Sequence, residues 1–261
     1  MKKIILTILA VLPLMSCSIL QNMNTTRVME GGAKVVQALG VTNAQMQSYV
    51  TASVAQLDAE ATVLPATNAY SKRLASLTRN LTHVGDTPLN FKVYKQDEVN
   101  AFACADGSVR VYTGIMDIMT DQELLGVIGH EIGHVAMEHT MNAYKYALYT
   151  SAAFDVVAST GNMAAALTDS VLGQLGQSMI TARYSRKQET EADDFGYSFL
   201  KAAGYNPWCM ATAFEKLQSS SQGGAAAQSS VMEMFSSHPN TASRIERVSK
   251  KCEADGFVRP E

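Results

Sequence analysis

The residues best suited to chemistry lie in GHEIGHVAMEH, residues 129–139, which contains three histidines and two glutamates. Residues four apart share one helix face, so His130 and His134 are predicted to present two imidazoles to one metal ion, with Glu131 beside it. Zinc hydrolases have this spacing, and Glu131 would be the general base that takes a proton from a water at the ion. His139 is about 500° around the helix from His134 and is predicted to lie on the surface. The alternative is an ordinary helix with solvated histidines.

The sequence around this motif favours a metal site. Thr120 and Glu123 form an S/T-x-x-E capping box, which predicts a helix that starts at Asp121 and is apolar around the histidines. Glycines in a helix interior each cost about 1 kcal/mol relative to alanine, which is understandable where a neighbouring element must approach closely. Three such glycines occur here: Gly126, Gly129 and Gly133.

A third ligand is expected from YSRKQETEADDFG, residues 184–196. Glu189 and Asp193 are four apart on one predicted helix face. Glu189 is therefore predicted to bind the ion, while Asp193 accepts a hydrogen bond from the far nitrogen of a ligating histidine. Glu191 is two residues from Glu189 and is predicted to point away. The alternative is a solvated acidic helix.

The elements that position these residues are predicted to be mostly helical. Two helical runs separated by Pro65 come first. From Phe91 the apolar period changes to two in FKVYK, NAFAC and SVRVYTG, which predicts a small antiparallel sheet. A helical pair is expected within 141–182, a loop at 218–230, and a last helix over about 241–253. The predicted fold class is α+β.

The bulk composition excludes some partners. The chain has 261 residues, of which 47% are hydrophobic, so it is long enough to bury a substantial core. Its net charge of -3 comes from 21 basic and 24 acidic residues without a long block of one sign. This distribution gives no electrostatic footprint for DNA or RNA, and nucleic acid is not an expected partner.

The N-terminus is typical of a secretory signal. Two lysines precede an apolar run at residues 4–14, which is shorter than the roughly 20 residues of a membrane-spanning helix. The tetrad LMSC resembles the lipobox of bacterial lipoproteins. Residues 1–16 are thus predicted to be removed. Cys17 is predicted to carry the lipid, which would include a palmitoyl group. Ser18 in place of Asp resembles the outer-membrane sorting pattern. The alternative is a conventional signal peptide whose cysteine is incidental.

The predicted domain organisation follows from this signal. Residues 17–40 form the lipidated cysteine and a polar tether, and residues 41–261 form the folded domain. In an oxidising compartment the three remaining cysteines need an explanation. Cys209 and Cys252 are candidates for one disulfide, which leaves Cys104 buried in a strand; sequence spacing alone leaves this pairing open.

The motifs HEIGH, SRKQETEAD and HPNTASRI, in this order after VNAFA, resemble a family of zinc endopeptidases. The family includes the prenyl-protein (CaaX) protease, the mitochondrial overlapping-activity protease and the bacterial heat-shock membrane protease. The resemblance covers roughly residues 60–252 and is strongest to the bacterial periplasmic lipoprotein branch, which includes the low-osmolarity-induced lipoprotein protease. It implies a thermolysin-like core with a small sheet next to the HExxH helix, and ligands from HExxH plus ExxxD, which agrees with Glu189.

The resemblance gives meaning to three further residues. Asn100 resembles the edge-strand asparagine by which thermolysin-like enzymes hold a peptide backbone; the alternative is a turn asparagine. His238 and Arg244 match the family segment close to the zinc, and Arg244 is expected to bind substrate. His238 is predicted either to donate a hydrogen bond to the oxyanion or to occupy the open zinc position in a latent enzyme; the alternative is a loop histidine.

Together these observations predict a zinc metalloendopeptidase with one Zn²⁺ per chain. It would be an outer-membrane lipoprotein that faces the periplasm of a Gram-negative bacterium. Its expected substrates are extended or unfolded polypeptides, and so unfolded or misassembled envelope proteins, because a strand edge binds an extended chain. The alternative is an outer-membrane assembly factor or chaperone with envelope partners and a latent or structural metal site.

Overall fold

The computed structural model describes residues 42–151, 154, 166–221, 234, 237–238 and 241–260. The predicted signal peptide, the lipidation site Cys17 and the tether lie outside the described residues. So do most of the connection within the predicted helical pair and most of the predicted loop at 218–230, whose first four residues are the end of a helix instead.

The described residues form a mostly helical α+β fold, as predicted. None of the described helices combines the length and the apolar composition that crossing a membrane requires. The helices are α1 (Asn43–Glu60), α2 (Ala69–Thr78), α3 (Thr113–Ile118), α4 (Asp121–Ala136), α5 (His139–Thr150), α6 (Asp169–Ile180), α7 (Arg186–Ala202), α8 (Trp208–Ser221) and α9 (Thr241–Ala254). The strands are β1 (His83–Val84), β2 (Thr87–Pro88), β3 (Asn90–Tyr94), β4 (Ala101–Ala103) and β5 (Ser108–Tyr112).

Capping boxes begin the two helices that carry the predicted metal ligands. Thr120 accepts a hydrogen bond from the backbone N–H of Glu123, whose carboxylate accepts one from the backbone N–H of Thr120, so α4 starts at Asp121 as predicted. Ser185 and Gln188 form the same pair at the start of α7. Each box satisfies N–H groups that a helix start leaves without partners, which fixes where both helices begin.

The main sheet is mixed rather than antiparallel, so this part of the prediction is wrong. Its strand order is β3-β5-β4: β4 pairs antiparallel with β5, but β3 pairs parallel with β5, with Asn90 opposite Ser108. The cause is topological. The β4–β5 hairpin leaves the far side of β5 open to β3, and an alternating apolar pattern carries no information on the direction of a neighbouring strand. β1 and β2 form a separate antiparallel pair.

Helix α4 lies at the centre of the fold, and its glycines allow close packing, as the sequence predicted. A Cβ atom on Gly126 would lie 2.1 Å from the carbonyl oxygen of Cys209 in α8. A Cβ atom on Gly133 would lie 2.3 Å from the carbonyl oxygen of Ala192 in α7. Both α7 and α8 therefore approach the backbone of α4 more closely than any side chain would permit.

The three described cysteines are buried free thiols, so the expected disulfide is not present. Cys209 and Cys252 share one apolar cluster in which α8 packs on α9. Burial raises the pKa of the Cys209 thiol to about 12, and this disfavours the thiolate that disulfide exchange requires. Cys104 follows β4 directly rather than lying within the strand, and it is buried as predicted.

Candidate metal centre

Two helices bring four of the predicted site residues together in the interior. α4 supplies His130 and His134, and α7 supplies Glu189 and Asp193; each of these residues is at most 2% exposed. In both pairs the four-residue spacing places the two side chains on the helix face that meets the other helix. The packing of α7 on α4 therefore assembles the site from two local sequence patterns.

The donor atoms have the spacing of a tetrahedral metal site. Nε2 of His130 lies 3.1 Å from Nε2 of His134 and 3.1 Å from Nδ1 of His238. Oε1 of Glu189 lies 3.1 Å from the same His238 nitrogen and 3.4 Å from Nε2 of His134. Ligands about 2.0–2.1 Å from a zinc ion at the centre of a tetrahedron lie about 3.3 Å from one another. These four residues are also a group whose donor atoms all lie within 4.8 Å of each other.

Proton positions provide a second test of whether these residues fit a metal. Nδ1 of His130 lies 2.9 Å from Oδ1 of Asp193 and 3.0 Å from Nη2 of Arg244; because the carboxylate only accepts and is the nearer partner, we assign the proton to this nitrogen. The other nitrogen of neutral His130 is then an acceptor, and it faces the centre of the cluster together with a carboxylate oxygen of Glu189. Acceptors that face each other in a buried site repel, and a cation at the centre removes that repulsion. The donor set fits a divalent metal.

Arg244 balances the acidic side chains of α7. Its guanidinium forms a bidentate pair with Asp193, at 2.9 and 2.7 Å, and an ion pair with Oε2 of Glu189. The same group lies 4.3 Å from the ring centroid of Phe214. Arg244 is 5% exposed and orients two site carboxylates, while its contact with substrate stays a prediction.

Electrostatics hold the two α7 carboxylates in the charged state. Burial alone raises the pKa of Glu189, but nearby His238 and His134 outweigh burial and lower the pKa below its usual value. Burial likewise raises the pKa of Asp193, and Arg244 with His130 reverses the direction. Burial lowers the pKa of His134 strongly, which keeps its imidazole neutral and able to bind a metal.

One buried oxygen of Glu131 makes no hydrogen bond among the described residues; the same holds for Oε2 of Glu189, which forms an ion pair with Arg244. Oε1 of Glu131 makes no hydrogen bond, and Nε2 of His238 lies 3.6 Å from it. Burial raises the pKa of this carboxyl above its usual value. A carboxylate oxygen without a hydrogen bond and with a raised pKa is a better proton acceptor than an ordinary carboxylate.

His238 approaches the ligand atoms from a different part of the chain. Its backbone N–H donates to the carbonyl of Met234. The side chains of Met234 and His238 line the same cavity as His130 of α4. Its imidazole is 12% exposed. Since Nδ1 lies 3.1 Å from both His130 and Glu189, His238 stands where a fourth ligand would stand.

The strand nearest the cluster is the edge strand β4, which packs against α4. Asn100 lies immediately before β4, is 6% exposed, and accepts a hydrogen bond from the backbone N–H of Tyr112 through its own carbonyl. All three residues of β4 are buried. At the other edge of the sheet, Tyr94 of β3 forms a bridge with Val63. The edge beside the metal cluster is therefore β4.

Sequence reasoning missed the surroundings of His134. The expectation that His139 lies on the surface is wrong, because α4 ends at Ala136 and the chain turns at Glu138, where φ is 57°. His139 is 5% exposed, with its Nδ1 3.0 Å from Nδ1 of His134. The ring of Tyr184 stacks on the His134 ring at 3.9 Å.

Glu191 points away from the ligand atoms, as the spacing predicted, but it has a partner next to them. Its Oε2 lies 3.3 Å from Nε2 of His139. Helical periodicity could not predict these contacts, because the helix ends at Ala136 and the turn that follows brings His139 back to His134.

A buried helix that carries H-E-x-x-H, with a glutamate supplied by a second helix, defines a metallopeptidase site. Comparison with known families agrees: the model of peptidase family M48 matches residues 65–252. The chain belongs to this family and is a metalloprotease.

Individual relatives agree with the family. The chain is 40% identical over 238 residues to Metalloprotease LoiP of Escherichia coli (strain K12). The aligned region covers 91% of this chain and 92% of LoiP. The chain is 36% identical over 236 residues to Metalloprotease YcaL of the same organism, covering 90% and 91%. The beta-barrel assembly-enhancing protease of that organism is 30% identical over 189 residues, 68% of this chain but 36% of that protein. The family and branch expected from the sequence are confirmed.

Proposed function

We propose that this metalloprotease is a zinc endopeptidase of the bacterial envelope that cleaves unfolded or misassembled envelope proteins. In this proposal residues 1–16 are a signal peptide, lipid on Cys17 anchors the enzyme to the outer membrane, and residues up to 40 tether a domain that faces the periplasm. The lipobox-like LMSC supports the anchor. Two relatives named as metalloproteases, and a third named as a beta-barrel assembly-enhancing protease, support proteolysis as the activity.

The proposed metal is one Zn²⁺ per chain, held by His130, His134 and Glu189, with Asp193 orienting His130. Two imidazole nitrogens with one carboxylate oxygen are one of the donor sets found in catalytic zinc sites. The observation that carries the proposal is the group of donor atoms with neighbours 3.1–3.4 Å apart, beside a buried Glu131 oxygen that makes no hydrogen bond among the described residues. The core is proposed to be thermolysin-like, with the HExxH helix next to an edge strand.

The roles of the protein groups follow from their positions. A bound zinc ion supplies Lewis acidity, which lowers the pKa of water and polarises a substrate carbonyl. Oε1 of Glu131 takes the proton of the attacking water and afterwards gives it to the amine that leaves. Asp193 and Arg244 keep His130 and Glu189 in place while this proton moves.

His238 is proposed to be a fourth ligand in the resting enzyme. Its distance of 3.1 Å from two other ligand atoms supports this role. Donation to the oxyanion of the tetrahedral intermediate is the other role that the sequence suggests, and it is the alternative to the resting-ligand role.

The proposed substrate is an extended chain that adds to β4, with Asn100 holding its backbone. β4 is an edge strand beside α4, which supports this geometry. Because β4 and Asn100 are both buried, a substrate chain reaches this edge only if the elements packed on it separate. Folded proteins rarely offer an extended chain, which favours unfolded substrates. Among the described residues, no feature of the site favours the alternative function as an assembly factor or chaperone.

Cleavage of an unfolded protein tests the proposal. The purified protein is expected to digest casein, to stop when a zinc chelator is added, and to resume when zinc is returned. Glu131→Gln is expected to keep zinc and lose at least about 100-fold in rate, the usual loss for a general base. Glu123→Gln is the matched control, since glutamine also completes the capping box at the start of α4.

The same variants separate proteolysis from a binding function. In cells that lack the chromosomal gene, Glu131→Gln is expected not to restore envelope function. Full restoration by this variant would show that binding rather than cleavage is the function, and the proposal would then be abandoned.

A further inference from the structure

Three side chains form a continuous hydrogen-bonded chain that leads away from the second metal ligand. Nδ1 of His134 lies 3.0 Å from Nδ1 of His139, and Nε2 of His139 lies 3.3 Å from Oε2 of Glu191. His134 is fully buried and His139 is 5% exposed, whereas the Glu191 side chain is 33% exposed. This series of hydrogen-bonded side chains therefore connects the interior of the site to the protein surface.

The order of donors and acceptors in this chain is fixed from its outer end. A carboxylate only accepts hydrogen bonds, so the nitrogen of His139 that faces Glu191 carries the proton. In neutral His139 the other nitrogen is then an acceptor. The His134 nitrogen that faces it must be the donor, which leaves Nε2 of His134 with a lone pair directed at the other ligand atoms.

We propose that His139 and Glu191 are positioning residues that hold His134 in the tautomer and ring orientation needed to bind the metal. This inference rests on the proposed zinc site. Metal-bound histidines generally donate their second N–H to an outer partner, and losing that partner typically lowers metal affinity 10- to 100-fold. Asp193 holds His130 in the same way, at 2.9 Å.

The local structure explains how His139 reaches this place. α4 ends two residues after His134, and Glu138 adopts a left-handed conformation that reverses the chain. His139 begins α5, and its side chain returns to the end of α4. The ring of Tyr184 stacks on the His134 ring, with the two ring centroids 3.9 Å apart. Among the described residues, Nδ1 of His134 has no hydrogen-bond partner other than His139.

Two substitutions of similar size separate the hydrogen bond from simple packing. His139→Asn places an amide oxygen about where Nδ1 of histidine lies, so it is expected to accept from His134 and to keep zinc affinity within about 3-fold. His139→Leu fills the same space without an acceptor and is expected to lower zinc affinity by about 10- to 100-fold. Zinc affinity is measured by competition with a chromophoric chelator, and apo-protein thermal unfolding checks that both variants fold.

The tautomers themselves are measurable in the wild-type protein. The chain has five histidines, so a ¹⁵N-histidine spectrum of the zinc-loaded enzyme is tractable. His139 is expected to carry its proton on Nε2, and His134 on Nδ1. Glu191→Gln, which keeps an acceptor oxygen, is expected to preserve this pattern. This measurement stands even if the His139→Leu protein does not fold.

The outcomes distinguish failure of this inference from failure of the zinc site. If the wild-type protein binds no zinc, the proposed function is wrong. If it binds zinc but His139→Leu and His139→Asn bind equally tightly, or if His139 carries its proton on Nδ1, the zinc site stands and the positioning role is wrong.

Discussion

The substitution Gly133→Ala tests whether the close packing of two helices holds the metal ligands together. Gly133 lies between Glu131 and His134 in α4, where α7 passes. The added Cβ would meet three backbone atoms of Ala192, at 2.3, 2.9 and 2.9 Å. The nearest contact is about 1 Å shorter than ordinary van der Waals distance. Backbone atoms cannot rotate away as the end of a side chain does, so the helices themselves must separate.

The expected loss of stability is the difference of two effects. Overpacking a well-packed interior costs about 1–3 kcal/mol, and contact with backbone atoms places Gly133→Ala in the upper part of that range. Alanine recovers about 1 kcal/mol through its higher helix propensity. The free energy of unfolding of the apo-protein is therefore expected to fall by about 1–2 kcal/mol.

The same strain acts on metal binding. Glu189 lies one helical turn before Ala192 in α7, and its Oε1 is 3.4 Å from Nε2 of His134. Metal–ligand distances tolerate changes of only about 0.2 Å, so the ion must pull the separated helices back together. If about 2 kcal/mol of strain is restored on binding, zinc affinity falls by about 30-fold.

Chemical unfolding and chelator competition measure the two effects. Gly173→Ala in α6 is the matched control, because its Cβ would meet mainly the flexible end of Glu60, at 2.9 Å. It is expected to stabilise the protein by about 0.5–1 kcal/mol through helix propensity and to leave zinc affinity unchanged. If Gly133→Ala proved as stable as the wild type and bound zinc as tightly, the contact between α4 and α7 would not be what positions Glu189.

Two further predictions concern the chain on either side of the site. His238→Ala removes the proposed resting ligand: zinc affinity is expected to fall about 10-fold, while casein cleavage at saturating zinc rises several-fold; a drop of about 100-fold or more would instead assign His238 to the oxyanion. Glu138→Gly relieves a left-handed residue at φ 57° and is expected to raise the free energy of unfolding by about 0.5–1 kcal/mol. Glu138→Ala, which keeps a Cβ atom, should gain nothing in the same unfolding measurement.

The parts of the site that local periodicity controls were predictable. His130 and His134, and likewise Glu189 and Asp193, share a helix face because of their four-residue spacing, whatever lies around them. The helix start at Asp121 followed from side-chain hydrogen bonds within three residues. The glycines of α4 predicted that something approaches closely, but not that α7 and α8 are the elements that do so.

The parts that depend on distant segments were not predictable in the same way. The parallel pairing of β3 with β5 is decided by which side of β5 remains open after the hairpin forms, and no residue of β3 encodes it. Arg244 matches a segment of the family, but the sequence around it does not indicate which side chains it contacts. Only the packing of α9 shows that its guanidinium meets Glu189 and Asp193.

His139 shows why a correct local rule gave a wrong result. Five residues beyond His134 in a continuing helix, its side chain would face solvent, and that calculation holds only while the helix lasts. The helix ends at Ala136, although Glu138 is not a residue that favours the left-handed turn it adopts. A strained turn persists where the structure around it compensates, and here it delivers a buried acceptor to the second metal ligand. On this reasoning the turn serves the site rather than the stability of the fold: Glu138→Gly tests its cost in stability, and His139→Leu tests its contribution to metal binding.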